Sequence, residues 1–455
     1  MENNQQPCVD WTSERISKTY LDFFKARGHR ELPGSSLVAP NQSTYFTVAG
    51  MQPLLPYLSG EQTPPAPRLT SRQHCLRTVD VDETGKTNRK LTLFHMLGNW
   101  SIGSYGRREA IEMAVELLTL FGLDLSRLRV TVFGGDTTLN LPPDEEVVNE
   151  WQRHGFSSEQ IVPLSMEDNF WDMGANLPGP CGICTEIFLD YGIEHGCGRP
   201  ECRPGCSCER FMEIWNLVFI EFDRSPDGTL SRLPFLSVDT GMGLERIGRV
   251  LQGAPSLFEI DLFRPAIDVL KSLAPVRVDS DPQIDQRARR ILLDHTRAAL
   301  VACLEGVLPG QEGRNSVVRR LLRRSMRQGR LLGVNGPLLA QLIEPLLQTH
   351  EFLLMPEQRA NIPQLWEIIA REERQFKRTL DTGLKLLERL QPDEHGVISG
   401  ESIFRLHSDR GFPSDLASEI LAERGLSVDW TGYKEALDRH RQVSRISVER
   451  QFRVS

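Results

Sequence analysis

The spacing of apolar positions changes character near residue 250. Within 13–27, Ile16, Tyr20, Phe23 and Phe24 recur at helical spacing and Gly28 follows as a left-handed stop, which predicts a helix. The next segment, GSSLVAPNQSTYFTVAGM (34–51), is β-branched and aromatic with Pro40 inside it, and predicts a strand interrupted by a turn. Further strands are predicted at 91–96, 128–133, 185–191, 211–222 and 235–238, with a helix at 107–120 among them. Strands that cluster with only occasional helices predict an α+β fold with a largely antiparallel sheet. Beyond Gly248 the pattern is helical: 285–304, 315–332 and 363–390 are amphipathic, the last with Leu365, Ile369, Phe376, Leu380, Leu384 and Leu387 on one face. Two domains are expected, 1–248 and a mainly helical 249–455.

Composition narrows the class. A chain of 455 residues with 40% apolar and 25% charged residues has the balance of a globular protein. It has no 18-residue apolar run, and the start MENNQQPCVDWTSE has neither a basic nor an apolar leader region, so a cytoplasmic protein without membrane contact is expected. A net charge of −8 excludes a surface basic all over, yet permits a local basic face. Six of the nine cysteines crowd between Cys181 and Cys208, which points to metal before disulfides.

Four constellations carry candidate chemistry. RRLLRRSMRQGR (319–330) places six arginines and no acid on an amphipathic helix. They form either a solvated face or a seat for an anion such as a phosphate backbone. HGCGRPECRPGCSCE holds Cys197, Cys202, Cys206 and Cys208 in a glycine- and proline-bent loop, where four thiolates can close a tetrahedral zinc site. For Cys181 and Cys184, a separate C-x-x-C, three readings stand: extra ligands, a redox pair, or buried small residues. DNFWDMG (168–174) and EIWNLVF (213–219) set tryptophans beside Asn and Asp, as in a buried core or in the wall of a small-ligand pocket. SVDTGMGLERI (237–247) is glycine-rich but lacks the third glycine of a dinucleotide fingerprint.

In these segments the chain resembles the catalytic portion of the alanyl-tRNA synthetases, class II aminoacyl-tRNA synthetases. CLR (75–77) with TLFHMLGNWSIGSYG (92–106) is similar to the second class motif and DTGMGLER (239–246) to the third. DNFWDMG, GPCGICTEI, EIWNLVFIEF, DHTRAA, EGRNSVVRRLLRR and GFPSDL follow in the family's order. The resemblance implies an antiparallel active-site sheet and a helical domain that receives the tRNA acceptor stem. It also implies activation of alanine by ATP with Mg2+ and transfer of the alanyl group to an acceptor. Arg77 and Arg246 are the implied catalytic residues. ATP would lie on Arg77, Lys90, Phe94, Gly243 and Arg246, and alanine among Asp239, Trp171, Asn216, Val218 and Gly241. The acceptor would meet Gln311, Arg314, Arg319, Arg320, Arg323, Ser408 and Asp409.

The chain departs from the family in two places. Where the family has Arg-His-His-Thr-Phe-Phe-Glu-Met, it reads RKLTLFHM, which exchanges a histidine pair for Lys90 and Leu91 and a glutamate for His95. A changed contact to the adenine amino group is expected. Gln311 and Ser408 stand where the family reads a G·U pair with Asn and Asp, so weak preference for that pair is expected. The acceptor is then tRNA or, in a specialised relative, a small molecule or peptide. A catalytically silent RNA- or partner-binding protein is the other class of function the substitutions allow. No H-x-x-x-H pair of the editing type is present.

Overall fold

A computed structural model describes residues 10–39, 44–174, 178–275, 280–334 and 336–452, with side chains to residue 442. Its centre is a mixed sheet of nine strands: β1 (Arg30–Glu31), β2 (Arg68–Leu76), β3 (Leu93–Ile102), β4 (Leu128–Phe133), β5 (Ile161–Leu164), β6 (Phe170–Trp171), β7 (Gly179–Asp190), β8 (Phe211–Arg224) and β9 (Leu230–Gly243). The order is β1-β2-β3-β9-β8-β7-β4-β5, with β6 on β7. Pairing is antiparallel except at the two edges, where β1 joins β2 and β4 joins β5 in parallel.

The helix Ser13–Lys25 starts where the Thr12 side chain accepts from Arg15 N and ends before Gly28, whose φ of 80° only glycine adopts cheaply. It buries Ile16, Tyr20, Phe23 and Phe24 behind the sheet. Beyond β9 come the helices Leu244–Leu251, Pro282–Leu304, Gly313–Leu331, Leu339–His350, Ile362–Leu387, Gly400–Arg410 and Ser414–Glu423. Pro282–Leu304 is buried almost throughout its second half, so it acts as the axle between the sheet and the helices that follow.

Among the described residues of 34–51 no continuous strand forms. Only an isolated bridge from Val38 to Phe46 remains, and Pro40 lies outside the described residues. Two strands outrun their predictions: β3 continues six residues past Met96, to Ile102, and β9 carries on to Gly243, so that the glycine-rich motif is strand and not loop. β2 was not foreseen, because RLTSRQHCL mixes charge into a buried strand. Among the described residues no helix is long and apolar enough to cross a membrane.

Candidate active site

Pairing register builds the site. One cross-strand row runs Glu186, Asn216, Gly241, Gly98, and the next row on the same face runs Cys184, Val218, Asp239, Trp100. The two glycines leave the sheet bare at their row. A Cβ on Gly98 would meet the Trp100 ring at 2.2 Å, and one on Gly241 would meet Met96 Sδ at 2.8 Å. The indole laid over Gly98 donates its Nε1–H to Asp239 Oδ1 at 2.6 Å. Burial pushes the Asp239 carboxyl up to about 7, with the Trp100 hydrogen bond opposing. Trp171 packs with Trp100, Cys184 and Val218, so aromatic and aliphatic walls stand beside a carboxylate that has no ion-pair partner among the described residues. Asn216 turns its amide to Glu186 (Nδ2 to Oε1, 3.1 Å), whose carboxyl burial and the neighbouring Glu213 push well above its usual value.

Next to this pocket lies a cavity of ≈ 300 Å³ lined by Arg77, Lys90, Phe94, Gly241, Gly243 and Arg246, together with Asp80, Arg89, Glu213 and Glu245. The ATP residues expected from sequence thus share one wall. The Arg77 guanidinium stands 4.9 Å from the Phe94 ring centroid, and its Nε donates to Val48 O. Arg246 is held by Glu213 Oε2 at 2.8 Å and by the Glu213 carbonyl, and Lys90 lies 3.2 Å from Asp80. Arg77 also lines a second, more open cavity with Trp171, which joins the two halves of the site.

His95 requires a correction. Strand alternation turns Phe94 and Met96 to the cavity and His95 to the opposite face, against His74 and His350. Its N–H and Nδ1 bond the Glu245 carboxylate at 3.0 and 2.8 Å, and Arg297 Nη1 reaches the same group at 3.0 Å. Burial raises a carboxyl and lowers a histidine. For Glu245 the donors win and hold it at about 2, while the His95 ring stays below its usual value and neutral. The exchange at this position therefore alters the underside of the sheet and not the cavity face that carries Phe94 and Met96.

The six arginines from Arg319 to Arg330 in the helix Gly313–Leu331 are no solvated face. Acids from elsewhere in the chain partner them: Glu372 lies near Arg319 (3.5 Å) and Arg323 (3.0 Å), Asp82 and Asp415 near Arg320, Asp82 and Glu419 near Arg324, Glu423 near Arg327 and Asp381 near Arg330. Arg324 and Arg327 are buried. Gln311, Arg319, Arg320 and Arg323 line a cavity of ≈ 550 Å³ with His407 and Asp415. Arg314, half-buried, and the exposed Ser408 and Asp409 are not on that lining, and the Ser408 hydroxyl donates to Asp409 Oδ1 at 2.7 Å.

The Sγ atoms of Cys197, Cys202, Cys206 and Cys208 all lie within 4.8 Å of one another, with Cys197–Cys206 at 3.7 Å and Cys202–Cys208 at 3.6 Å. A tetrahedron with Zn–S bonds of about 2.3 Å has edges of about 3.8 Å, so the donor set fits that ion. Arg199 Nε bonds Cys197 Sγ at 3.4 Å and pulls that thiol down to about 6. Cys181 and Cys184 sit in different apolar clusters with their thiols pushed up by burial, which leaves the buried-residue reading for both.

Trp100, Glu186, Glu213 and Glu245 were given no role in the sequence reading. The signal for Trp100 was present: alternation from Phe94 through Met96 and Gly98 reaches it once the strand is allowed to pass a glycine.

The comparisons agree with this geometry. The family model for class II (A) tRNA synthetases matches residues 15–454. An alanine–tRNA ligase of Thermoanaerobacter sp. (strain X514) is 39% identical over 95% of this chain and 49% of its own length. One from Acetivibrio thermocellus is 38% identical over 94% and 48%, and one from Pelotomaculum thermopropionicum 40% over 95% and 49%. The chain thus spans about half the length of the curated relatives it matches. It belongs to the class II (A) tRNA synthetase family.

Proposed function

We propose that the chain activates alanine with ATP and passes the alanyl group to the end of an RNA acceptor stem. Asp239 carries this assignment: a buried carboxylate without an ion-pair partner among the described residues, walled by Trp100, Trp171 and Val218 and floored by Gly241, suits an ammonium with a methyl beside it. In the first step the alanine carboxylate oxygen attacks the α-phosphorus, forming the acyl–phosphate bond as the bond to pyrophosphate breaks. Arg77 and Arg246 would neutralise the phosphates, Lys90 would meet them at the rim, and Phe94 would stack on adenine, a task of positioning and charge that needs no protein nucleophile. In the second step a ribose hydroxyl oxygen attacks the carbonyl carbon, AMP leaves and the hydroxyl proton is released. Mg2+ enters with ATP. Of the acids on the cavity wall, Glu245 is locked by His95 and Arg297, whereas Asp80 and Glu213 hold Lys90 and Arg246, the cations assigned to the phosphates, so these two acids would take the ion as ATP draws their cations away.

Residues 1–248 would hold ATP and alanine, and 249–455 the acceptor, with Gln311, Arg314, Arg319, Arg320, Arg323, Ser408 and Asp409 on that side. Phosphate contacts position without specifying, and Ser408 is bound to its own neighbour, so little preference for G·U over G·C stems is expected. Cys197, Cys202, Cys206 and Cys208 would hold one structural Zn2+, which braces a loop of little apolar content. Elemental analysis of reduced protein that finds no metal overturns that part.

The deciding experiment is ATP–pyrophosphate exchange over a panel of amino acids, followed by charging of minihelices that differ only at the G·U position. Alanine should lead, with serine and glycine measurable, because one methylene is worth only about 1 to 3 kcal/mol in a pocket. No exchange with alanine refutes the activation step, and a strong G·U preference refutes relaxed recognition.

A further inference from the structure

Two of the large apolar side chains left in solvent, Tyr45 (52% exposed) and Val79 (79% exposed), lie on one cavity. It measures ≈ 800 Å³, and Arg77 and Trp171, the residues that join the ATP and alanine halves of the site, belong to the same lining. Neither activation of alanine nor the fold uses Tyr45 or Val79. Single exposed apolar residues are ordinary, but two on the lip of a functional cavity mark a surface that meets something.

The loop after Arg77 says what that is. Three residues beyond Val79, Asp82 receives Arg320 Nη2 at 3.1 Å and Arg324 Nη1 at 2.5 Å from the arginine helix. Three residues of chain span at most about 11 Å. The same short loop therefore walls the cavity of Tyr45 and stands against the cavity of Arg319, Arg320 and Arg323. A polyanion drawn to that arginine cavity would therefore have Tyr45 within reach of its end. Single-stranded nucleic acid is gripped by stacking its bases on aromatic faces beside cationic side chains, which is the pairing Tyr45 and Arg77 offer.

We propose that Tyr45 and Val79 form the seat of the terminal base of an RNA acceptor, Tyr45 stacking on its face and Val79 closing the other side. The proposal rests on the alanyl transfer described above, and its test separates the two. Alanine-dependent pyrophosphate exchange and minihelix charging are measured side by side for wild type, Tyr45→Ala and Tyr45→Phe. A second minihelix ends in an abasic ribose that keeps its hydroxyls. Tyr45→Ala should keep exchange within twofold and lose about tenfold in kcat/KM for the intact minihelix, whereas Tyr45→Phe charges it like wild type. The abasic end should cost wild type a similar factor and cost Tyr45→Ala nothing more. Undiminished charging by Tyr45→Ala, or a full further loss when the abasic end is combined with it, overturns the seat. Exchange without charging of any minihelix overturns an RNA occupant. Absence of alanine exchange in wild type instead strikes the activation reading.

Discussion

Asp239 and Glu245 lie six residues apart in one motif, both buried, and their environments drive them in opposite directions. Glu245 accepts from His95 N–H and Nδ1 and from Arg297, and its carboxyl is held at about 2. Among the described residues Asp239 accepts from the Trp100 indole alone, and burial lifts it to about 7. A buried carboxylate supplied with its own donors and cation is a fastener. One supplied with a single neutral donor is incomplete, and an incoming ammonium completes it. The strand alternation of β9 and the helix that starts at Leu244 turn these two acids to different places: Asp239 to the face of Trp100 and Val218, the proposed alanine pocket, and Glu245 to the junction with Pro282–Leu304.

The largest effects follow from removing each acid in turn. Asp239→Ala should abolish most alanine-dependent exchange, because loss of one partner of a desolvated charge pair costs several kcal/mol. Near-normal exchange in this variant ends the pocket assignment. Glu245→Ala should instead unfold the protein more easily, by roughly 3 to 5 kcal/mol, since it strands the buried Arg297 guanidinium. Denaturant titration at pH 8 measures it. Asp239→Asn should gain stability in the same titration, as it removes a carboxylate that burial disfavours. Equal losses in both variants dissolve the distinction between the two acids.

The next effect is on pH. For Glu245 the folded value lies below the ordinary 4.5, so its stabilisation is complete above that value and is lost as pH falls through about 2. For Asp239 the folded value lies above the ordinary 3.8, so the stability conferred by its neutral form is full below 3.8 and is lost as pH rises through about 7. Function runs against stability there, because only the ionised form receives an ammonium. The kcat/KM for alanine in exchange should rise roughly fivefold from pH 6 to 7, about twofold more by pH 8, and then flatten. A flat profile across that window sinks the Asp239 reading.

How much of this was legible in the sequence depended on which force set each residue's place. The motif residues Arg77, Phe94, Gly243 and Arg246, picked out through resemblance, line one cavity, and β4 was legible from the β-branched alternation of LRVTVF, because each signal is local in the chain. The partners of those residues were not. Glu213 behind Arg246, Asp82 behind Arg320 and Arg297 behind Glu245 are each brought in by tertiary packing from tens to hundreds of positions away, and no spacing rule registers them. The same blindness made six arginines without a neighbouring acid read as unpaired. His95 failed for a smaller reason: its place in the motif was read without its place on the strand, where odd and even residues face opposite ways.

The smallest effect comes from Trp100→Phe, which removes the one donor that Asp239 owns. The bond is 2.6 Å long and favours the ionised carboxyl, so without it the folded value climbs further. A hydrogen bond to a charged group is worth about 1.5 to 3 kcal/mol, and the alanine ammonium replaces part of it on binding. The midpoint of the pH profile for kcat/KM should therefore move up by about one pH unit, with a roughly fivefold loss at pH 7 and almost none at pH 9. Phenylalanine still covers Gly98, so the wall of the pocket is kept. If the loss in Trp100→Phe is the same at every pH, Trp100 serves as wall alone, and the contrast between the two acids owes nothing to its hydrogen bond.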